Sequence, residues 1–303
     1  SMMAVLVPRA AVSARGVGEV LDTEPSGADP RQPVEVSRRG GTIEFRNVSF
    51  AYPNADSPAL YDISFTARPG ETTAIVGPTG SGKSTLLGLI ERFYDATKGV
   101  VLIDGVDVRE QRIADLRGRI GYVPQRSVLF SGTVASNLRY GKEDASAQEL
   151  VHAATTAQAI EFIDRFDDRF EHQIAQGGSN VSGGQRQRLS IARAVVREPE
   201  IYIFDDSFSA LDFRTDAKLR TALAQETRHS TVLIVAQRIN TIRHAQKIIV
   251  LDDGHVVGQG THDELLRTCP VYQEIAASQL SEEELAREIG EARVASSNGK
   301  EPL

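Results

Sequence analysis

One stretch decides the fold: Gly77-Pro78-Thr79-Gly80-Ser81-Gly82-Lys83-Ser84-Thr85. It fits the pattern G-x-x-x-x-G-K-[S/T], and it follows an apolar run at 72–76 that is typical of a buried strand. After it, apolar residues recur at helical spacing from Leu86 to Phe93. A loop of this pattern between a strand and a helix predicts a phosphate-binding loop. A glycine-rich turn with a solvated lysine is the simpler interpretation, but it does not account for both flanks.

The residue types in this loop suit a nucleotide phosphate. Glycines let the backbone N–H groups converge on a di- or triphosphate, and the N-terminus of the following helix adds positive potential. Lys83 supplies a mobile cation, and the Ser84 hydroxyl can bind Mg²⁺. The sequence therefore predicts a site for a nucleoside triphosphate.

Composition excludes several classes of protein. The chain has 303 residues with 41% hydrophobic and 25% charged residues, which is ordinary for a globular protein of one or two domains. The net charge of −7 argues against general nucleic-acid or anionic-membrane binding, so we expect no nucleic-acid partner. Cys269 is the only cysteine, which excludes an internal disulfide. Because no apolar run approaches the ~20 residues of a membrane span, we expect this chain itself to be soluble.

The beginning of the chain is unusual for a domain. An apolar run stops at Pro8, and Ala10, Ala14, Val17 and Leu21 then follow at the spacing of an amphipathic helix. This pattern is typical of the cut end of a longer helix that belongs to a parent protein. Residues 22–41 are rich in proline and glycine and predict a linker.

The rest of the chain alternates strand and helix patterns. Predicted strands lie at 42–50 (with a kink), 60–67, 100–103, 119–123, 201–204 and 231–235, and a closing hairpin at 247–251 and 255–259. Residues 132–170 predict a mostly helical insert, and S/T-x-x-E patterns at Thr261 and Ser281 predict two C-terminal helices before a disordered tail from 296. This alternation predicts an α/β fold with a mainly parallel sheet and helices on both faces.

A second constellation, Ser182-Gly183-Gly184-Gln185, precedes a helix pattern. Ser182 and Gln185 fit a helix-capping pair, and a well-capped helix would be sufficient to explain them. The paired glycines favour another interpretation, because glycine is a poor helix former and suits close approach of the backbone to another group.

Together with the phosphate loop, Gln125 and the run 201–206, this tetrapeptide resembles the signature of the ATP-binding-cassette (ABC) ATPases over residues 42–278. The resemblance implies a P-loop NTPase core with a mainly parallel sheet, plus an antiparallel β subdomain and an α-helical signature subdomain at about 126–190. It also implies ATP and Mg²⁺ as cofactors, and two ATP molecules between two head-to-tail cassettes.

The resemblance assigns roles residue by residue. Tyr52 matches the aromatic that stacks on adenine, and residues 209–212 match the D-loop at the dimer interface. The phosphates would be bound by Gly77, Thr79, Gly80, Ser81, Gly82, Lys83, Ser84 and Thr85. The γ-phosphate of a nucleotide on the opposite subunit would be bound by Ser182, Gly183, Gly184 and Gln185. The metal ligands would be Ser84, Gln125 and Asp205, and the catalytic positions Asp206, Gln237 and Gln125.

The start of the chain narrows the family. Residues 9–15 and 19–25 resemble the end of the last transmembrane helix of ABC exporters. This implies that 1–21 end a transmembrane or coupling helix, 22–41 form a linker, 42–278 form the nucleotide-binding domain and 279–303 form a C-terminal helix and flexible tail. The natural place of such a cassette is the cytoplasmic face of the inner (plasma) membrane, attached to its own transmembrane domain outside this chain.

Three positions depart from the family pattern. The catalytic glutamate is replaced by Asp206, the switch histidine by Gln237, and a glutamate common before the signature by Gln176. Aspartate is one methylene shorter, and glutamine can donate a hydrogen bond but cannot carry a positive charge. The changes at Asp206 and Gln237, the two positions nearest the γ-phosphate, predict a site that binds ATP and hydrolyses it poorly, as in the degenerate-site subunit of a heterodimeric exporter, with a second ABC subunit as partner.

Two alternatives remain at this point. In a homodimeric exporter, Asp206 would work as a slow catalytic base. A soluble ABC ATPase acting on DNA or ribosomes is disfavoured by the acidic charge balance, the single cassette and the exporter-like first residues.

Overall fold

The computed structural model describes residues 3–22, 27–36, 40–281 and 284. The strands are, in chain order, β1 (Ile43–Phe50), β2 (Leu60–Ala67), β3 (Thr72–Val76), β4 (Lys98–Ile103), β5 (Val106–Asp107), β6 (Ile120–Val123), β7 (Gly132–Thr133), β8 (Gln173–Ile174), β9 (Ile201–Asp205), β10 (Thr231–Val235), β11 (Lys247–Asp252) and β12 (His255–Gly260). The α-helices are α1 (Met3–Leu21), α2 (Lys83–Ile90), α3 (Ile113–Gly118), α4 (Val134–Arg139), α5 (Ala147–Thr156), α6 (Ile160–Ile163), α7 (Gly183–Val195), α8 (Phe213–Glu226), α9 (Ile239–Ile242), α10 (His262–Thr268) and α11 (Pro270–Ala277).

The central sheet has six strands in the order β12-β11-β3-β10-β9-β6. All neighbours pair in parallel except the hairpin of β11 and β12, which confirms the predicted mainly parallel sheet. β9 is an apolar run whose residues are all buried, as expected of a strand covered on both faces. Because the carboxyl ends of parallel strands meet at one edge, the segments after β3, β6, β9 and β10 lie together there.

The second sheet is antiparallel, in the order β2-β1-β4-β5. β1 has register shifts between Phe45 and Val48 and between Val48 and Phe50, which confirms the predicted kink in this strand. Buried residues of this sheet, such as Ile43 and Phe45, share a core with Leu86 and Ile90 of α2. The helix after the phosphate loop is therefore held between the two sheets.

Helices α4 to α7 lie in sequence between β6 and β9 and surround a core of their own. The predicted helical insert is confirmed for α4, α5 and α6, but it also contains β7, which pairs with β8. This two-residue pairing has too short a pattern to be read from composition.

Capping boxes begin several helices. The predicted box of Thr261 and Glu264 is present at α10. Ser281 and Glu284 also exchange the expected hydrogen bonds, although the residues that would form the following helix, and the tail from 296, lie outside the described part of the chain.

The N-terminal helix differs from the sequence pattern. α1 continues through Pro8, although a proline in the interior of a helix removes a hydrogen bond and clashes with the preceding turn. From Leu6 to Asp22 every residue is exposed except Gly18, which is half-buried. No helix within the described ranges is both long and apolar enough to cross a membrane.

Candidate nucleotide site

The phosphate loop is folded tightly between β3 and α2. A Cβ atom on Gly77 would lie 2.0 Å from the carbonyl oxygen of Leu251, so only glycine fits there. Gly82 has a φ of +97°, and its Cβ would meet Leu60 at 2.6 Å. No side chain of the described residues caps α2 at Gly82. The first N–H groups of α2 therefore remain available to an anion.

Lys83 bends back over the loop. Its ammonium donates hydrogen bonds to the carbonyl oxygens of Gly77 at 2.8 Å and Pro78 at 2.6 Å, and to the Ser81 hydroxyl at 3.3 Å. Burial lowers the pKa of Lys83, and the charges of Asp205 and Asp206 oppose that effect. None of the described carboxylates forms an ion pair with this ammonium, so a phosphate would be its first anionic partner.

The loop forms one wall of a cavity of about 350 Å³ at the edge of the central sheet. The lining residues are Tyr52, Ala59, Thr79, Gly80, Gly82, Lys83, Ser84, Thr85, Gln125, Asp205, Asp206, Val235 and Gln237. All three predicted metal ligands and all three predicted catalytic positions thus lie around one cavity. Of the predicted phosphate-loop residues, only Gly77 and Ser81 do not line it.

Asp205 is the buried acid of the cavity, with 8% of its surface exposed. The Tyr122 hydroxyl donates a hydrogen bond to Asp205 Oδ2 at 3.3 Å. Burial raises the pKa of Asp205, the Tyr122 hydrogen bond lowers it, Asp206 raises it and Lys83 lowers it. The net direction is upward, so a cation in the cavity would stabilise the charged form of this carboxylate.

Asp206 follows in an unusual backbone conformation, with a φ of +44°. Its N–H donates to the carbonyl oxygen of Val235 at 2.8 Å, and Gln125 Nε2 donates to Asp206 Oδ2 at 3.2 Å. Gln237 lies at the rim with an exposed side chain. Two of the predicted catalytic positions, Gln125 and Asp206, are therefore in direct contact.

Tyr52 forms the aromatic end of the cavity. Its ring makes edge contacts with Phe50 at 4.9 Å and Tyr94 at 5.2 Å between centroids, and its hydroxyl lies 2.9 Å from Thr85 Oγ1. These contacts fix a ring that is still 38% exposed, and such a ring can accept a flat base.

The signature residues lie apart from this cavity. Ser182 and Gln185 form the predicted capping box at the start of α7. A Cβ on Gly183 or Gly184 would approach no atom of the chain closer than 3.9 or 3.5 Å, so packing within this chain does not require either glycine. Gly184 lies beside Ala210 of the predicted D-loop segment 209–212. Gln176 lies in a short 3₁₀ turn outside the cavity.

Sequence reasoning missed three residues of the site. Ala59 and Val235 line the cavity, and Tyr122 contacts Asp205. The signal for Tyr122 was its place at the end of a strand, three residues before Gln125, but which strand it would pair with could not be read from the pattern.

The donor set fits Mg²⁺ and ATP. A hydroxyl, an amide and a carboxylate line one cavity on Ser84, Gln125 and Asp205, and magnesium prefers such oxygen ligands. The glycine-lined loop and the ammonium of Lys83 suit a polyphosphate.

Comparison with known proteins agrees with this geometry. Residues 60–209 match the family model described as ABC transporter. The chain carries an ABC transporter ATP-binding domain. This ABC domain is 51% identical over 283 residues to an ABC transporter ATP-binding protein of Mycobacterium tuberculosis, which corresponds to 92% of this chain and 48% of that protein.

Exporters are among the relatives of the ABC domain. The beta-(1→2)glucan export ATP-binding/permease protein NdvA of Rhodopseudomonas palustris is 46% identical over 268 residues, 88% of this chain and 45% of that protein. A bacterial Atm1-family ABC exporter solved with ATP bound aligns with a TM-score of 0.85 and 36% identity, covering 91% of this chain and 48% of that chain. The expected fold is therefore confirmed, and the chain spans about half the length of the relatives it matches.

Proposed function

We propose that this chain is the ATP-binding cassette of an ABC exporter and couples ATP binding and hydrolysis to substrate efflux. The exporters named above support this, since each matches the chain over about half of its own length. The other half would supply the transmembrane domain, which would hold the cassette at the cytoplasmic face of the inner (plasma) membrane. No nucleic-acid partner is part of this proposal.

The division of the chain follows the same proposal. Residues 1–21 would end the last transmembrane or coupling helix, 22–41 would be the linker, and 42–278 would be the cassette, with its helical subdomain at about 126–190. The segment 279–303 would form the C-terminal helix and tail. Contacts of the linker support its role, because Asp29 accepts a hydrogen bond from the Ile113 N–H and Val34 N–H donates to the Glu110 carbonyl.

The cavity would hold Mg·ATP. Adenine would stack on Tyr52, the phosphates would bind the loop 77–85, and Ser84, Asp205 and Gln125 would hold Mg²⁺ or its waters. Bound Mg²⁺ supplies charge neutralisation of the phosphates. Lys83 would exchange its carbonyl partners for phosphate oxygens, which offer a stronger, charge-assisted hydrogen bond.

One observation carries the proposal that this cassette is the degenerate-site half of a heterodimer. The carboxylate at the catalytic position belongs to Asp206, is one methylene short, and accepts a hydrogen bond from Gln125. At the rim of the cavity, Gln237 offers an uncharged amide where the family has histidine. A general base displaced by ~1 Å can lose about 10²-fold in rate. We therefore expect slow hydrolysis at this cavity.

The signature supports a role in the partner's site. Ser182 and Gly183 are exposed and lie away from the chain's own cavity. Packing within the chain does not require a glycine at 183 or at 184. In this proposal they bind the γ-phosphate of the nucleotide on a second ABC subunit.

A homodimeric exporter is the second candidate function. It is favoured by the position of Asp206, which lines the cavity and could act as a slow base. The two candidates differ in which subunit's cavity carries turnover, and that difference can be measured. The exporter relatives count against a soluble ABC ATPase.

The nucleotide site is tested first by substitutions of Tyr52. Tyr52→Ala should weaken Mg·ATP binding by ~1–2 kcal/mol, about 5- to 30-fold in the dissociation constant, because a stacking ring is lost. Tyr52→Phe is the matched control: it keeps the ring and loses only the contact with Thr85, so binding should stay within about 2- to 3-fold. Calorimetry on the chain measures both, and unchanged affinity in Tyr52→Ala would refute the assignment.

A further inference from the structure

The buried carboxylate of Asp205 has one hydrogen-bond partner among the side chains of the described residues. That partner is the Tyr122 hydroxyl, which donates to Oδ2 at 3.3 Å. Lys83 does not pair with this carboxylate, since its ammonium is bonded to Gly77, Pro78 and Ser81. The orientation of the Asp205 carboxylate therefore depends on Tyr122.

Strand pairing explains why Tyr122 reaches this carboxylate. β6 and β9 are parallel, with Tyr122 opposite Ile203 and Val123 opposite Phe204. Tyr122 thus lies two residues short of Asp205 on the neighbouring strand, and its long side chain covers that distance. The ring packs against the core that contains α2, so its position is fixed by apolar contacts.

The phenol stays a hydrogen-bond donor. The atom it contacts is a carboxylate oxygen of Asp205, which accepts, so the phenol donates in this hydrogen bond. That hydrogen bond favours the charged form of Asp205, against the effect of burial.

We propose that Tyr122 is a positioning residue that orients the Asp205 carboxylate toward Mg²⁺. The inference rests on the proposed function, because it requires Asp205 to bind the metal of Mg·ATP. Magnesium demands near-octahedral geometry, so a carboxylate free to rotate is a poorer ligand. The hydrogen bond from the phenol to Oδ2 restricts rotation of this carboxylate, which lines the cavity. Substitution of a residue that holds a ligating carboxylate in this way typically lowers metal affinity by about 10- to 100-fold.

The test compares ATP binding with and without the metal. The dissociation constant of ATP is measured by calorimetry on the chain in excess Mg²⁺ and in EDTA. The value in EDTA divided by the value in Mg²⁺ is a ratio that reports how much Mg²⁺ strengthens binding. In Tyr122→Phe the ratio should fall about 10-fold, while the value in EDTA stays within about 2-fold of wild type. The value in EDTA also shows that the variant is folded.

Two further variants separate positioning from a loss of structure. Tyr202→Phe removes a buried hydroxyl on β9 from the opposite face of the sheet, and it should keep the wild-type ratio. Asp205→Asn should lower the ratio by itself. In that background Tyr122→Phe should have no further effect, because Tyr122 acts through Asp205.

Each result has one meaning. A wild-type ratio in Tyr122→Phe overturns the inference and leaves the proposed function standing. Equal affinity in Mg²⁺ and EDTA for the wild-type chain overturns the metal role of Asp205, and with it the inference, while ATP binding stands. No binding of ATP under either condition overturns the proposed function as well.

Discussion

At the scale of single residues, the acid that the site does not use is the most informative. Glu91 ends α2 with 6% of its surface exposed, and its Oε1 has no hydrogen-bond partner among the described residues. Burial raises the pKa of Glu91 to about 7, Arg117 opposes this, and Asp205 adds to it. The protonated form therefore predominates in the folded state below neutral pH.

This predicts how stability depends on pH. A carboxyl group with a raised folded-state pKa contributes stability below its unfolded-state pKa, and this contribution is lost as pH rises through about 7. Glu91→Gln removes that loss, so it should raise the free energy of unfolding at pH 8 relative to wild type, by up to about 3 kcal/mol, and have a much smaller effect at pH 5. Denaturant unfolding at both pH values measures this.

The exposed Glu110→Gln is the matched control, and it should leave the free energy of unfolding unchanged at both pH values. A Glu91→Gln variant with the same effect at pH 5 and pH 8 would show that Glu91 does not titrate in this range.

The residues of the site could be predicted only in part. The loop 77–85 follows from a local pattern, while Asp205 and Gln125 follow from the resemblance to the ABC family, and the structure places Gln125, Asp205 and most of the loop around one cavity. The contact between Gln125 and Asp206 depends on how two strands end beside each other, and no local pattern contains it. The same is true of Tyr122, whose partner is distant in sequence.

At the scale of elements, the predictions succeeded where the spacing of apolar residues in the sequence agrees with their burial in the structure. β9, β10 and β11 are apolar runs bounded by turn residues, and β12 follows β11 across the turn at Asp253-Gly254; the structure has all four within a residue or two of the prediction. The pair β7–β8 was missed, because its two strands are held by a tertiary pairing and not by a pattern of their own. α1 runs from Met3 to Leu21, whereas the spacing of apolar residues alone indicated a helix only from Ala10 to Leu21.

One acid joins the elements at the start of the cassette. The Asp104 carboxylate accepts hydrogen bonds from the N–H groups of Gly40, Gly41 and Thr42, and it pairs with Arg119, which also pairs with Glu200. Burial opposes the charge of Asp104, but these hydrogen bonds outweigh it and its pKa lies below the ordinary value. Its stabilising effect is therefore present at neutral pH and lost only as pH falls through that lowered pKa.

We expect Asp104→Ala to lower the free energy of unfolding by ~2–4 kcal/mol at pH 7, because it leaves three part-buried N–H groups without their acceptor and leaves the Arg119 guanidinium with Glu200 as its remaining partner. Asp115→Ala is the control: its pair with Arg112 is 3.8 Å long and exposed, so the change should stay within ~0.5 kcal/mol. Equal losses in the two variants would show that the Asp104 network does not anchor residues 40–42.

At the scale of the whole molecule, the separation of cavity and signature predicts that the chain alone is a nearly inactive monomer. Its cavity is lined by no residue of Ser182-Gly183-Gly184-Gln185, so under the proposed function catalysis would need a signature from a second cassette. Sedimentation of the chain with Mg·ATP should show a monomer, and ATP turnover should be close to background. Robust turnover that is independent of protein concentration would contradict this, because it would place a complete site in one chain.

The complete transporter provides the most direct test of the account, in which this cassette binds ATP in a slow site and lends its signature to a working one. The measurement is ATP turnover of the full heterodimer with Asp206→Asn or Ser182→Ala in this subunit. Ser182→Ala should lower turnover by about 10²-fold, because a hydrogen bond to the γ-phosphate in the transition state is lost. Asp206→Asn should leave most of it. Turnover abolished by Asp206→Asn and intact in Ser182→Ala would contradict the account.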